Sequence, residues 1–122
     1  MAFKILLLDD ETNVRNAIKR ILRGLDIEIT EKVNGQEALT ALLSQSESAE
    51  PFNLLFTDNE MPELKGLELI EQVKKHCLNI PIILMSGTLK EIDVPEGVIF
   101  VRKPWKQDQI KNLVEEMIAK AQ

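Results

Sequence analysis

Phe3-Lys4-Ile5-Leu6-Leu7-Leu8 runs without a break into Asp9-Asp10-Glu11. So short and continuous an apolar run suits a strand buried on both faces, and the abrupt change to acids marks where it leaves the core. Downstream, Val14, Ile18, Ile21, Leu22 and Leu25 recur at helical spacing, with Thr12 the expected N-cap and Gly24 the expected stop. Ile27 to Val33 is a second strand, Asn34-Gly35 turns the chain, and Ala38, Leu39, Leu42 and Leu43 stripe a second helix. Ser44 to Pro51 is polar and reads as a loop.

The same alternation continues to the end of the chain. Phe52 to Thr57 is a third apolar run, again ending in an acid, Asp58. A loop carrying Met61-Pro62 and Lys65-Gly66 leads to Leu67, Ile70, Val73 and Cys77 at helical spacing. Ile80 to Met85 is a strand ending at Ser86-Gly87, with Pro81 tolerable near its start. Leu89 to Gly97 is too interrupted to support a full helix. Val98 to Val101 is a fifth strand ending at Arg102-Lys103-Pro104, and Ile110, Leu113, Val114, Met117 and Ile118 define an amphipathic last helix. Strand and helix thus alternate five times, with the fourth helix shortened or missing. The expected fold is α/β, a doubly wound five-stranded parallel sheet with helices on both faces.

Composition bounds the function. The chain has 122 residues, enough for one core, with 29% charged and 44% hydrophobic residues. A net charge of -5 without a basic cluster argues against nucleic acid or an anionic membrane as partner. No apolar run approaches the roughly 20 residues of a membrane span, and Met1-Ala2-Phe3-Lys4 lacks a signal-peptide layout, so a cytoplasmic location is expected. Cys77 is the only cysteine and His76 the only histidine, which excludes an internal disulfide and His- or Cys-rich metal sites. His76 reads as a surface residue and Cys77 as a small buried hydrophobe.

In an all-parallel sheet every strand's carboxyl end lies on one edge, where open sheets bind ligands at the reversal of strand order. With order 2-1-3-4-5 the first and third strands are neighbours, so Asp9, Asp10 and Asp58 crowd together. Two carboxylates about 4 Å apart repel by roughly 4 kcal/mol at an effective dielectric near 20. A divalent ion relieves that repulsion, and oxygen-only ligation with water suits Mg²⁺. Strands lie about 4.8 Å apart, so Ser86 on the fourth can touch a group on Asp58, whereas from the fifth only a long side chain such as Lys103 can. A carboxylate nucleophile, a metal, a hydroxyl and an ammonium together suit phosphoryl transfer to Asp58.

Leu6-Leu7-Leu8-Asp9-Asp10-Glu11, Asp58-Asn59-Glu60-Met61-Pro62 with Gly66, Ser86-Gly87 and Lys103-Pro104-Trp105 resemble the motifs of the receiver domain of two-component response regulators. Asn34-Gly35-Gln36-Glu37-Ala38-Leu39 resembles the start of that family's second helix. The resemblance spans essentially the whole chain and implies a single receiver domain over 1–122, with a flavodoxin-like fold. It implies that Asp58 accepts a phosphoryl group from a histidine kinase or phosphotransfer protein. It also implies that Asp10, Asp58 and the Glu60 backbone carbonyl hold Mg²⁺ directly (Mn²⁺ being an acceptable substitute), and that Asp9 acts largely through water. Ser86 and Lys103 would bind the phosphoryl oxygens, Phe100 would change rotamer with Ser86, and the Lys103-Pro104 bond would be cis. Asn59, Gly87 and Pro104 flank these groups. Such a domain is a switch that catalyses only its own phosphorylation and dephosphorylation.

Several residues depart from the family pattern. Ser86 and Lys103 are closer in sequence than usual, by more than a helical turn. Asn59 stands where relatives often carry an apolar or aromatic residue, Lys65 where an acid is common, and Trp105 where Phe is common. Glu60 adds a carboxylate beside the site, and the sequence leaves open whether it orients attacking water or repels it. These departures motivate a second reading, a degenerate receiver that binds partners or dimerises without phosphorylation. A phosphatase with an aspartyl-phosphate intermediate fits less well, because Asp9-Asp10-Glu11 does not supply the Asp-x-Asp motif such enzymes place at the first strand end.

Overall fold

The structure is a computed structural model and describes residues 2–45, 51–76 and 79–121. Five parallel strands form one sheet: β1 (Phe3–Leu8), β2 (Ile27–Lys32), β3 (Leu54–Asp58), β4 (Ile82–Ser86) and β5 (Ile99–Arg102), in the order β2-β1-β3-β4-β5. Helices α1 (Thr12–Ile21), α2 (Gly35–Gln45), α3 (Gly66–Lys75) and α4 (Gln107–Ala121) connect and cover them. Every residue of β3 and β4 is buried, as a strand covered on both faces requires.

The period-two alternation of the strands divides the core in two. Leu6, Leu8, Leu55, Ile82 and Leu84 face α2 and α3, packing with Ala38, Leu42, Leu69, Ile70 and Val73. Ile5, Leu7, Leu54, Phe56, Ile83 and Met85 face the other way, toward Ile18 of α1 and Ile110 and Val114 of α4. Neighbouring residues of one strand therefore serve different helical layers, which fixes strand register.

Local chemistry adjusts the boundaries expected from the sequence. Glu11, not Thr12, is the N-cap of α1, and Thr12 is its first helical residue. The Thr12 hydroxyl accepts a hydrogen bond from Arg15 Nη2 instead of capping the helix. Pro81 lacks an N–H to give the ladder, and β4 begins one residue later although the Pro81 carbonyl accepts the Leu55 N–H. Between β4 and β5 the expected short fourth helix is a single 3₁₀ turn, Glu91–Asp93. The chain then turns through Pro95, whose carbonyl accepts the Val98 N–H, and through Gly97 at φ 85°. Most of the loop expected from Ser44 to Pro51 lies outside the described residues, as does Cys77. Among the described residues no helix is long and apolar enough to cross a membrane.

One close approach positions the loop after β3. A Cβ on Gly66 would stand 2.7 Å from the Asp58 carbonyl oxygen and 2.8 Å from Asn59 Cα, both backbone atoms that cannot swing aside. Gly66→Ala is expected to cost about 1–3 kcal/mol in urea unfolding, as overpacked sites do. Gly87→Ala, whose Cβ would meet only Lys103 Cβ at 3.9 Å, is expected to change stability by less than about 1 kcal/mol. Equal midpoints for the two variants would refute the packing argument.

Candidate functional site

The strand ladder carries the site's residues to one edge. Leu8 pairs with Thr57 across β1 and β3, Asp58 with Met85 across β3 and β4, and Ser86 with Arg102 across β4 and β5. Backbone bonds continue just past the strands, from Asp9 N to Lys32 O, Asn59 N to Met85 O and Lys103 N to Ser86 O. Asp9, Asp58, Ser86 and Lys103 are thus held by sheet geometry rather than by free loops. β1 lies between β2 and β3, so the connections leaving it and entering β3 run to opposite sides, which makes this the switch point of the sheet.

Asp9, Asp10 and Asp58 each present a carboxylate oxygen, and the three lie within 4.8 Å of one another. Asp9 and Asp58 are buried, while Asp10 is exposed. Lys103 Nζ reaches Asp58 Oδ1 at 3.0 Å and Asp9 Oδ2 at 3.5 Å. Asp9 Oδ1 accepts the Glu11 N–H at 2.8 Å, and Arg15 Nη1 donates to the Asp9 carbonyl oxygen at 2.7 Å. Asp58 Oδ1 is paired in charge with Lys103 but makes no hydrogen bond of good angle. It is a buried acceptor with lone pairs to spare, which together with the neighbouring carboxylates fits a hard divalent cation.

Charge states follow from this crowding. Burial pushes the Asp58 carboxyl up to about 6, against the pull of Lys103 and with help from Asp9 and Glu60. Burial likewise raises Asp9, opposed by the Glu11 N–H and Lys103. Burial works against the Lys103 ammonium, but Asp58 and Asp9 outweigh it and hold Lys103 above the ordinary lysine value.

A second cluster forms at Ser86. Its hydroxyl donates to Glu60 Oε2 at 2.7 Å, and Gly87 N donates to Glu60 Oε1 at 3.0 Å. Asn59 Nδ2 donates to Glu60 Oε2 at 3.0 Å. Burial works against charge on Glu60, yet these three donors outweigh it and hold its carboxyl below the usual value. Ser86 Oγ also accepts the N–H groups of Thr88 and Leu89, which fixes the turn after β4. Asn59 caps α3 from a distance, since Oδ1 accepts the Leu67 N–H and its carbonyl accepts the Gly66 N–H. Its polarity, unusual by resemblance, thus has a structural use.

The structure brings together Asp9, Asp10, Asp58 and Lys103, with Ser86, Gly87, Asn59 and Glu60 alongside. It does not bring Phe100 into this group. That ring lies half-buried on β5, paired with Leu84 and 5.2 Å from the Arg102 guanidinium. Pro104, which follows a cis peptide bond, is exposed beside Trp105. His76 is exposed at the end of α3. Sequence reading missed Arg15, Thr88 and Arg102, whose contacts depend on backbone geometry. Only Arg15, a turn into α1 after the acids, left a sequence signal.

A profile described as the response regulator receiver domain matches residues 5–115. The transcriptional regulatory protein CrdR of Helicobacter pylori is 32% identical over 117 residues, covering 91% of this chain and 53% of that protein. The two-component response regulator-like PRR37 of Oryza sativa subsp. indica is 32% identical over 117 residues, 90% of this chain but 15% of that protein. The chain therefore spans only part of the length of these relatives. Among solved structures, the receiver domain from the hybrid histidine kinase CckA superposes with a TM-score of 0.74 at 29% identity, covering 94% of this chain and 98% of that one.

The raised Asp58 carboxyl gives a pH test. Its folded value of about 6 exceeds the reference value of 3.8, so between them the folded chain holds a proton that the unfolded chain releases. The stabilisation from this group is complete at low pH and is lost as pH rises through about 6. In chelator-containing buffer, wild type should lose stability relative to Asp58→Asn between about pH 4 and about pH 7. Parallel pH profiles for the two proteins would contradict the shift.

Proposed function

Because the chain belongs to the response regulator receiver domain family, we propose that it is a phosphoacceptor switch in which Asp58 takes a phosphoryl group from a phosphohistidine donor. The observation that carries this reading is the buried Asp58 carboxylate held 3.0 Å from the Lys103 ammonium in a cluster of acids. In the transfer, an Asp58 oxygen forms a bond to phosphorus as the donor's P–N bond breaks. The electron pair of that bond remains on the imidazole nitrogen. Lys103 neutralises charge on the acceptor and on the incoming phosphoryl oxygens, and it favours the ionised, nucleophilic form of Asp58. The Ser86 hydroxyl and the Gly87 N–H, at the end of the strand paired with β3, would supply neutral donors.

Asp10 and Asp58 would hold Mg²⁺ directly, joined by the Glu60 backbone carbonyl, with Asp9 acting through water; Mn²⁺ suits the same oxygens. When bound, the metal supplies positive charge that offsets the crowded carboxylates and the phosphoryl group. Asp9 is already engaged through Oδ1 with the Glu11 N–H, which favours an outer role for it.

Phosphorylation would place roughly -1.5 to -2 charge at Asp58. Lys103 and Ser86 are drawn to it, and Phe100, two residues along β5 from Arg102, would report the change to the outer edge of the sheet. The donor partner is a histidine kinase or phosphotransfer protein, and the reaction ends at the chain's own carboxylate without turnover of a diffusible substrate. The net charge of -5 weighs against nucleic acid as a direct partner of this domain. A cytoplasmic setting fits such a donor.

A phosphorylation-independent binding module remains the second reading, favoured by one observation: the Ser86 hydroxyl is already committed to Glu60. Intact mass after incubation with acetyl phosphate separates the two. Wild type should gain one phosphoryl group in Mg²⁺, and neither chelated wild type nor Asp58→Ala should gain any. Full labelling of Asp58→Ala would refute the assignment. A folded wild type that stays unlabelled even with a phosphohistidine donor would favour the binding module.

A further inference from the structure

Glu60 places a carboxylate beside the site that the transfer chemistry leaves without a use. Its backbone carbonyl has a place in the cation site, but its side chain turns to β4. Both oxygens are occupied there. Oε2 receives the Ser86 hydroxyl at 2.7 Å and Asn59 Nδ2 at 3.0 Å, and Oε1 receives the Gly87 N–H at 3.0 Å. The Ser86 hydroxyl has a single proton to give. Its oxygen already accepts from Thr88 N at 3.1 Å and Leu89 N at 2.9 Å, and the proton goes to the Glu60 carboxylate at 2.7 Å in preference to the neutral Thr88 hydroxyl at 3.5 Å.

We propose that the Glu60 carboxylate is a tethered stand-in for the phosphoryl group: it occupies the Ser86 and Gly87 donors in the unmodified protein and must release them before those donors can bind a phosphoryl oxygen on Asp58. This inference rests on the acceptor reading of Asp58 and concerns regulation of that same site. Charge-assisted bonds to a carboxylate are short and strong, so the plug competes seriously with an incoming anion. The exchange replaces one anion by another on the same donors, which spares the site the cost of leaving them unpaired. What changes is the anchor. Glu60 ties β4 to the loop after β3, whereas a phosphoryl group ties it to Asp58 itself. The Ser86 turn ends at Leu89, whose carbonyl accepts Arg102 Nη2 at 2.7 Å, and Arg102 lies over Phe100. Release of Glu60 therefore loosens one end of a connected run of bonds that reaches β5.

Beryllofluoride with Mg²⁺, a phosphoryl analogue, tests the exchange on the whole chain. Wild type, Glu60→Ala and Glu60→Gln are titrated while the Gly87 amide resonance is followed by NMR. Glu60→Ala is expected to shift the Gly87 amide in ligand-free protein and to lower the beryllofluoride midpoint about tenfold. At saturation the Gly87 resonances of wild type and Glu60→Ala should converge, because the same ligand then holds the amide. Glu60→Gln loses the charge but keeps an acceptor of the same reach, so its midpoint should fall between the other two. Equal midpoints for Glu60→Gln and Glu60→Ala would assign the effect to charge repulsion alone and overturn the plug. An unmoved Gly87 amide, or a midpoint in Glu60→Ala no lower than wild type, would overturn it as well. If binding in that last case still required Asp58, tested with Asp58→Ala, the acceptor reading would stand. Failure of wild type and Glu60→Ala alike to take up beryllofluoride would overturn both.

Discussion

Two buried acids and one shared cation are the constraint on which this end of the molecule depends. Asp9 and Asp58 are both removed from water, and Lys103 reaches each of them from a different strand. At an effective dielectric near 20, a carboxylate pair about 4 Å apart is repulsive by roughly 4 kcal/mol, and one ammonium cannot neutralise two acids and an exposed third. Burial is the main cause of the raised Asp58 carboxyl, and repulsion from Asp9 and Glu60 adds to it. The protein tolerates it because the strands that deliver the acids are anchored elsewhere, by a core that lines both faces of the sheet. Stability made far from the edge is thus spent at the edge, where an electropositive ligand can relieve the strain.

Much of this was legible from residue order. Apolar runs of strand length ending in Asp9, Asp58, Ser86 and Lys103 specify a parallel sheet and the edge on which those residues meet, because strand period and parallel pairing leave few alternatives. What escaped the sequence was set by short-range competition between donors. Thr12 has the right chemistry for a cap, but Arg15 claims its hydroxyl. Asn59 looked like an intrusion beside Asp58, and its use became visible only with Gly66 and Leu67 folded back against it. The side chain of Glu60 could point at solvent, metal or β4, and no periodicity chooses among these. The nearby donors of Ser86 and Gly87 do.

The site is also asymmetric in how it is supported. Asp58 ends the inner strand β3 and Asp9 directly follows the inner strand β1, whereas Lys103 comes just after β5, a four-residue edge strand with one neighbour. The rigid half of the constellation is acidic and the less constrained half is basic. A change in charge at the acids can therefore be answered most readily by movement of β5 and the Lys103-Pro104 segment beyond it, since the inner strands are fixed by neighbours on both sides.

The single 3₁₀ turn between β4 and β5 has a consequence for shape. Val101 packs on the face covered by α1 and α4, so Phe100 and Arg102 point to the opposite face, where a full helix would otherwise lie. The guanidinium lies over the ring instead. Here the edge of the sheet carries an aromatic ring and a guanidinium 5.2 Å apart, not the cylinder of a helix. Anything that approaches from that side meets side chains of the edge strand and not the flank of a helix. Because Arg102 also donates to the Leu89 carbonyl, a rotation of its side chain frees that carbonyl at the same time as it uncovers the ring.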